Sequence, residues 1–420
     1  MKLTILILFL VVASIYAQDV TAPSAESSER APVASEEFES PGRHPAKMFL
    51  PENLLKGPSH FVGPEAENDR LNNTYFLYSG DAAWAVVTTG ALKTRINEIY
   101  AIQKLQEMKK GKEFAQGMEA AGEAKVKGVI GLVTNPLGTV ENVPRGASRF
   151  FGRIGEGMKG GRTEGEGNLI QNISGEQKAK VALALKLGVS PYSYNQELQK
   201  ELVANARAAA AGGLVVSAAT SLAGGPAGTA LTALNVNQTL QDTLVNSTPS
   251  DLRIINRKKL FALGVTRETA DAILMHPWYS PWTETIMIDA LANVGTDPSE
   301  FLTLAASARD EEDGIYFQRL AQVMAAYAQK KGAIRAINVH NGVVIASDAH
   351  GNMMLPLSCD YAIWSEVSAG RCQEFMTAMK DKPEVKEVSL WVDGRASEKA
   401  IAGARAIKIQ VATEVLGKNG

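Results

Sequence analysis

Cysteine is nearly absent from this chain: two in 420 residues, Cys359 and Cys372. That scarcity excludes a disulfide-built scaffold and any multi-cysteine zinc or iron–sulfur centre. An excess of one charge is missing too. The 43 Lys and Arg nearly balance 45 Asp and Glu, for a net charge of −2. Such a balance argues against a dedicated nucleic-acid binder. No G-x-x-x-x-G-K-[ST], H-E-x-x-H or G-x-S-x-G pattern occurs, and no repeat period stands out. The apolar run at residues 3–15 has 13 residues, short of the roughly 20 that a spanning helix needs.

What remains is an ordinary globular composition, 45% apolar and 21% charged, and a length suited to two or three domains. Lys2, the apolar run and the small residue Ala17 fit a secretory signal peptide over residues 1–17; an uncleaved anchor is the alternative. Residues 18–46 read as an acidic Pro/Ala/Ser linker. Asp19, Glu26, Glu29, Glu36, Glu37 and Glu39 face only Arg30 and Arg43 there. A segment so poor in apolar side chains cannot offset its ordering entropy. Export would place Cys359 and Cys372 in an oxidising compartment, where a disulfide between them is expected. A loop of that size contributes roughly 3 kcal/mol in the chain-entropy model.

The fold expected is α+β and multidomain, mostly helical in its centre, with a small C-terminal α+β domain. Residues 47–248 read as a helical region that begins extended and turns helical from Asp81. Residues 249–332 read as a helical subdomain, with Asp297-Pro298-Ser299-Glu300 and Asp310 as helix starts. From 333 to 420 the hydrophobic period switches to two. Asn341-Gly342 marks a hairpin between 334–340 and 343–348. Its expected register pairs His340 with Val343 and Arg335 with Asp348. A third strand near 353–363, a helix near 365–380 and strands near 385–392 and 407–411 complete that domain.

Two stretches stand apart by composition. From Lys93 to Arg162 there are 13 Lys and Arg against 7 Glu. Within the 123–162 segment, Arg145, Arg149 and Arg153 fall at i, i+4 and i+8, one stripe of a helix, beside Phe150 and Phe151. A basic amphipathic segment with Phe suits an anionic membrane surface. A solvated Arg stripe over core Phe residues is the ordinary alternative. Residues 155–160 match G-x-G-x-x-G but lack the flanking strand and helix a phosphate site requires. Residues 208–241 then run without a charge around Gly224-Gly225-Pro226. A buried Ala/Gly hairpin, a membrane-inserting or oligomerising element and a loop all fit that composition. The aromatics of 276–282 read as an anchor between helices.

These features lead to an exported protein, periplasmic, secreted or membrane-associated. It is expected to act non-enzymatically at the cell envelope or outside the cell, on an anionic membrane surface or a protein partner. No cofactor and no metal is expected. The alternatives are a hydrolase that uses His340, Asp348, His350 and Asp360, and a membrane-inserting toxin. Catalysis would require those four side chains to converge within hydrogen-bond reach.

Overall fold

The computed structural model describes residues 37–111, 114–116, 175–211, 236–380, 382 and 384–417. The signal-like run, most of the linker, the Arg stripe with its glycine motif, and the middle of the uncharged stretch lie outside the described residues.

The described chain opens with β1 (Gly42–Pro45), a short turn of helix, α1 (Glu52–Leu55), β2 (Lys56–Gly57), β3 (His60–Asn68), β4 (Asn73–Ser79) and β5 (Ala82–Val87). They form an antiparallel sheet in the order β1-β3-β4-β5, with β2 also on β3. Alternation along β4 sets its two faces: Tyr75 and Leu77 are buried, Phe76 and Tyr78 exposed. Helix α2 (Thr89–Lys109) covers the inner face, where its Leu92, Ile96 and Ile99 meet Val62, Ala66, Tyr75, Leu77 and Val86.

Two expectations fail here. Residues 82–87 are a strand rather than the start of a helix. Their alanines favour helix, but Gly80, with a φ of +57°, helps turn the chain back so that β5 pairs with β4 along its full length. Cross-strand pairing outweighs intrinsic preference. The end of the linker is also structured. Glu39 donates its N–H to Trp364 O and accepts from Trp364 N and Ser397 Oγ, and β1 pairs with β3. The acidic composition that suggested disorder here supplies an internal ligand.

The centre is helical. Helices α3 (Gly175–Leu187) and α4 (Gln196–Ala210) pack on the second half of α2 through Ala101, Ile102 and Leu105. Then follow α5 (Gln238–Asn246), α6 (Pro249–Ala262), α7 (Arg267–Leu274), α8 (Pro281–Val294), α9 (Ser299–Ala305) and α10 (Glu311–Lys331). Most starts carry side-chain caps: Asn195, Asn237, Thr248, Thr266, Ser280 and Asp310 each accept a backbone N–H of the first turn. At 297–300 the side chain of Asp297 instead takes Ser299 N and Oγ, and Glu300 reaches out of the helix to Val339 N. The 276–282 aromatics are an anchor. Tyr279 donates to Ala305 O, Trp282 to Leu244 O, and Ser280 caps α8.

The C-terminal sheet comprises β6 (Ile334–His340), β7 (Val343–Asp348), β8 (Asn352–Leu357), β10 (Glu387–Val392) and β12 (Ile409–Ala412), in the order β12-β10-β8-β7-β6. Short β9 (Tyr361–Ala362) and β11 (Arg395–Ala396) pair separately, and α11 (Glu366–Met379) and α12 (Glu398–Ala406) complete the unit. Strands alternate between two cores. Val344 and Ala346 face a core with α8 and α10, while Ile345 faces one with α11 and α12. The boundary expected at 332/333 therefore divides a continuous core, because residues 249–332 supply one outer layer of this sheet.

The hairpin forms where expected, with Asn341 and Gly342 both at positive φ and His340 opposite Val343. The Arg335–Asp348 pair does not form. A bulge at Arg335 sets Ile334 opposite Asp348, so Arg335 is exposed while Asp348 turns inward. The expected disulfide is absent as well: Cys359 and Cys372 are free. Cys359 packs with Ala362 and Val392, whereas Cys372 on α11 lies against the core beneath α12.

Gly403 shows how tightly that layer packs. A Cβ there would overlap the Trp364 indole. Gly→Ala inside a helix normally stabilises by about 1 kcal/mol. Gly403→Ala is expected to reverse that sign and destabilise by about 1–3 kcal/mol, read from urea unfolding. A stabilised variant would contradict the packing.

Candidate functional site

The four hairpin candidates do not form one site. Asp348 accepts Tyr327 Oη at 3.1 Å, His350 N at 2.8 Å, and Asn352 N and Nδ2 at 3.0 and 2.9 Å. These hydrogen bonds hold its carboxyl below the usual range against the opposing effect of burial. His350 meets it through backbone alone, and His340 is exposed beside the Asn341-Gly342 turn. Asp360 has a separate set of partners. Among the described residues no group of three or more His, Cys, Asp or Glu could hold a metal ion.

Asp360 sits where three parts of the fold meet. Its carboxylate accepts Asn73 N at 3.0 Å from β4 and Thr89 N at 2.9 Å from the first turn of α2. The next residues extend the junction. Tyr361 N donates to Leu71 O and Ile363 N to Arg70 O, so the β3–β4 turn is stitched to the C-terminal unit. Asn68, Asn73, Tyr75 and Thr89 form a hydrogen-bonded chain beneath. Burial pushes the Asp360 carboxyl up, against the pull of the two backbone amides.

Beside it, Asp393 accepts Ser358 Oγ and Cys359 N and faces Arg319 at 3.6 Å. Burial lowers the Lys93 amine, and nearby Arg319 lowers it further. Thr88, which caps α2, has a φ of +75°. A β-branched residue rarely adopts that conformation, which costs on the order of 1–3 kcal/mol. Its N–H to Asn73 O and its O from Leu92 N hold it there. Burial, with Asp393 and Asp360 beside it, pushes the Cys359 thiol well above the usual range. The acids of this junction accept backbone amides and so tie its strands, helix start and loops to one another.

Buried acids elsewhere in the fold have internal partners too. Glu98 on α2 accepts from Arg95, Ser193 Oγ and Asn195 Nδ2, fixing α2 to the loop before α4. Arg95 also meets Glu311 of α10 at 3.6 Å. Glu284 on α8 is enclosed, with Asn256 Nδ2 at 3.3 Å, and burial pushes it up to about 8.

A second feature is positional. The two long stretches outside the described residues leave from neighbouring points. Phe114, near the start of the first, packs on Ala208 of α4. At its far end a Cβ on Gly175 would lie 3.7 Å from the Ala210 Cβ, at the close of α4 where the second stretch begins. Glu176 meets Arg207 at 3.4 Å in the same corner. Val236, where the second stretch ends, packs with Val181 and Leu240. Arg145, Arg149, Arg153, Phe150 and Phe151 lie in the first stretch, outside the described residues. Only the ends of 208–241 are described: they close α4 and open α5. No helix of the described residues is long and apolar enough to cross a membrane.

The sequence names Asp360 only as one of four candidates for the alternative hydrolase, and its partners Asn73 and Thr89 go unnoticed there. Thr88-Thr89 before a helical run was a legible cap; the contact to Asp360, 271 residues away, was not. No family model matches the chain, and no curated protein or solved structure matches it either.

Two variants test these acids. Asp360→Ala leaves two backbone N–H groups without their acceptor, and is expected to cost about 3 kcal/mol in urea unfolding. A loss under about 1 kcal/mol would contradict its role as a tie. Glu284→Gln tests the other case. In the unfolded chain Glu284 ionises near its ordinary value of 4.5; in the fold it keeps its proton to about 8. Wild-type stability should fall as pH rises through that window. The variant should lose that slope and exceed the wild-type Tm at pH 8. Parallel Tm profiles of the two proteins would contradict this.

Proposed function

We propose that the protein is exported and acts by binding rather than catalysis, contacting an anionic membrane surface through its 123–162 and 208–241 stretches. The carrying observation is the corner beside α4, where Phe114, Gly175, Ala208 and Ala210 bring the origins of both stretches together. Two weak contacts launched from one rigid base reinforce each other, because the second forms at high effective concentration. The excess of Lys and Arg from Lys93 to Arg162 supplies attraction to anionic lipid. Phe150 and Phe151 supply apolar depth. Glu98 and Glu311, which brace α2 against the loop before α4 and against α10, keep this base in shape.

Cosedimentation with anionic and zwitterionic vesicles is the test. Wild type should bind the anionic vesicles and release as salt rises. Arg145→Glu with Arg149→Glu should weaken binding about a hundredfold, since each basic residue near such a surface contributes roughly 1 kcal/mol and each reversal adds repulsion. Equal binding by the variant would overturn the reading. Vesicle contents should stay inside; leakage would point to insertion.

A further inference from the structure

The N-terminal sheet ends in an open edge. Among the described residues, strand β5, Ala82-Ala83-Trp84-Ala85-Val86-Val87, pairs with β4 alone. Ser79 and Ala82 flank the two-residue turn, and Thr88 N still donates to Asn73 O. The alternation therefore points the backbone groups of residues 82, 84 and 86 at β4, and those of Ala83, Ala85 and Val87 outward. No hydrogen bond to those outward groups occurs among the described residues. Ala83 and Ala85 are exposed, and the strand carries no charge and no proline.

A bare apolar edge is a template for another strand, and proteins ordinarily blunt it. This one does so elsewhere. On the outer edge of β6, Thr296 Oγ1 donates to Arg335 O at 2.9 Å, and Val339 N donates to Glu300 Oε2 at 2.7 Å. At the far edge of the N-terminal sheet, β1 is four residues long and ends in Pro45. Strand β5 has neither device.

We propose that β5 is a dimerisation edge, which pairs antiparallel with β5 of a second copy of this chain about a two-fold axis at Ala85. That register sets Ala85 against Ala85 and Ala83 against Val87. Each facing pair exchanges two backbone hydrogen bonds, six in all. The uncharged strand puts no like charges across the axis. Asp81 of each copy comes toward the start of the other's α2, whose positive helix end favours an acid. The pairing would also run two outer faces together, each bearing exposed Phe61, Phe76 and Tyr78.

Sedimentation velocity of the purified protein, over a series up to about 0.1 mM, tests this. The wild type should show a reversible dimer. Ala85→Pro removes the central outward N–H without breaking any bond inside the protomer. It should raise the dissociation constant about tenfold or more, with Tm unchanged. Ala83→Lys, which sets a charge on the edge, should do the same and serves if the proline variant fails to fold. A wild type that stays monomeric throughout, or a dimer untouched by a folded variant, would overturn the proposal.

Discussion

One carboxylate, that of Asp360, ties together parts of the chain that local sequence would leave separate. Strand β4 and helix α2 both end a backbone N–H on it. The residues after it bind the β3–β4 turn. A buried acid is costly unless its lone pairs are filled; filling them here fixes a sheet, a helix start and the C-terminal unit at once. The unusual φ of Thr88 follows, since the chain must leave β5 and enter α2 within reach of that carboxylate. Gly394 belongs to the same constraint. A Cβ there would overlap the Cys359 carbonyl, where the two C-terminal loops cross.

From that junction the order extends along α2. Its first half closes the N-terminal sheet, and its second half carries α3 and α4. Glu98 and Arg95, halfway along, link it to the loop before α4 and to α10. The corner where the two long stretches originate thus stands on a helix braced at its start and its middle. The contact role proposed for this corner would gain from such a base, because ordering a binding segment costs less when its ends are already placed. The same logic bears on β5, one hairpin turn from β4 and fixed at its end by Thr88.

Local signals in the sequence were informative wherever a single element decided the outcome. Asn341-Gly342 gave the hairpin, and Asp310 gave the start of α10, because turn and cap chemistry act within four residues. Period-two alternation after 333 gave the α+β character of the C-terminal unit. The failures are all long-range. The alanines of β5 prefer helix, and only pairing with β4 makes them a strand. Glu39 looked like part of a solvated acidic linker, yet it binds Trp364 and Ser397, more than 300 residues on. Cys359 and Cys372 are near in sequence but enter different clusters. Asp360 was a candidate only because it follows the hairpin that carries His340, Asp348 and His350; its partners, the N–H groups of Asn73 and Thr89, have no sequence signature.

The measurement closest to the central claim is native-state hydrogen exchange at the amides of Asn73 and Thr89. If Asp360 joins the units into one cooperative structure, both amides open only with the core of β8 and β10, at the free energy of global unfolding. Exchange of both at a much lower free energy, while β8 and β10 stay protected, would show that the N-terminal sheet and α2 come away on their own.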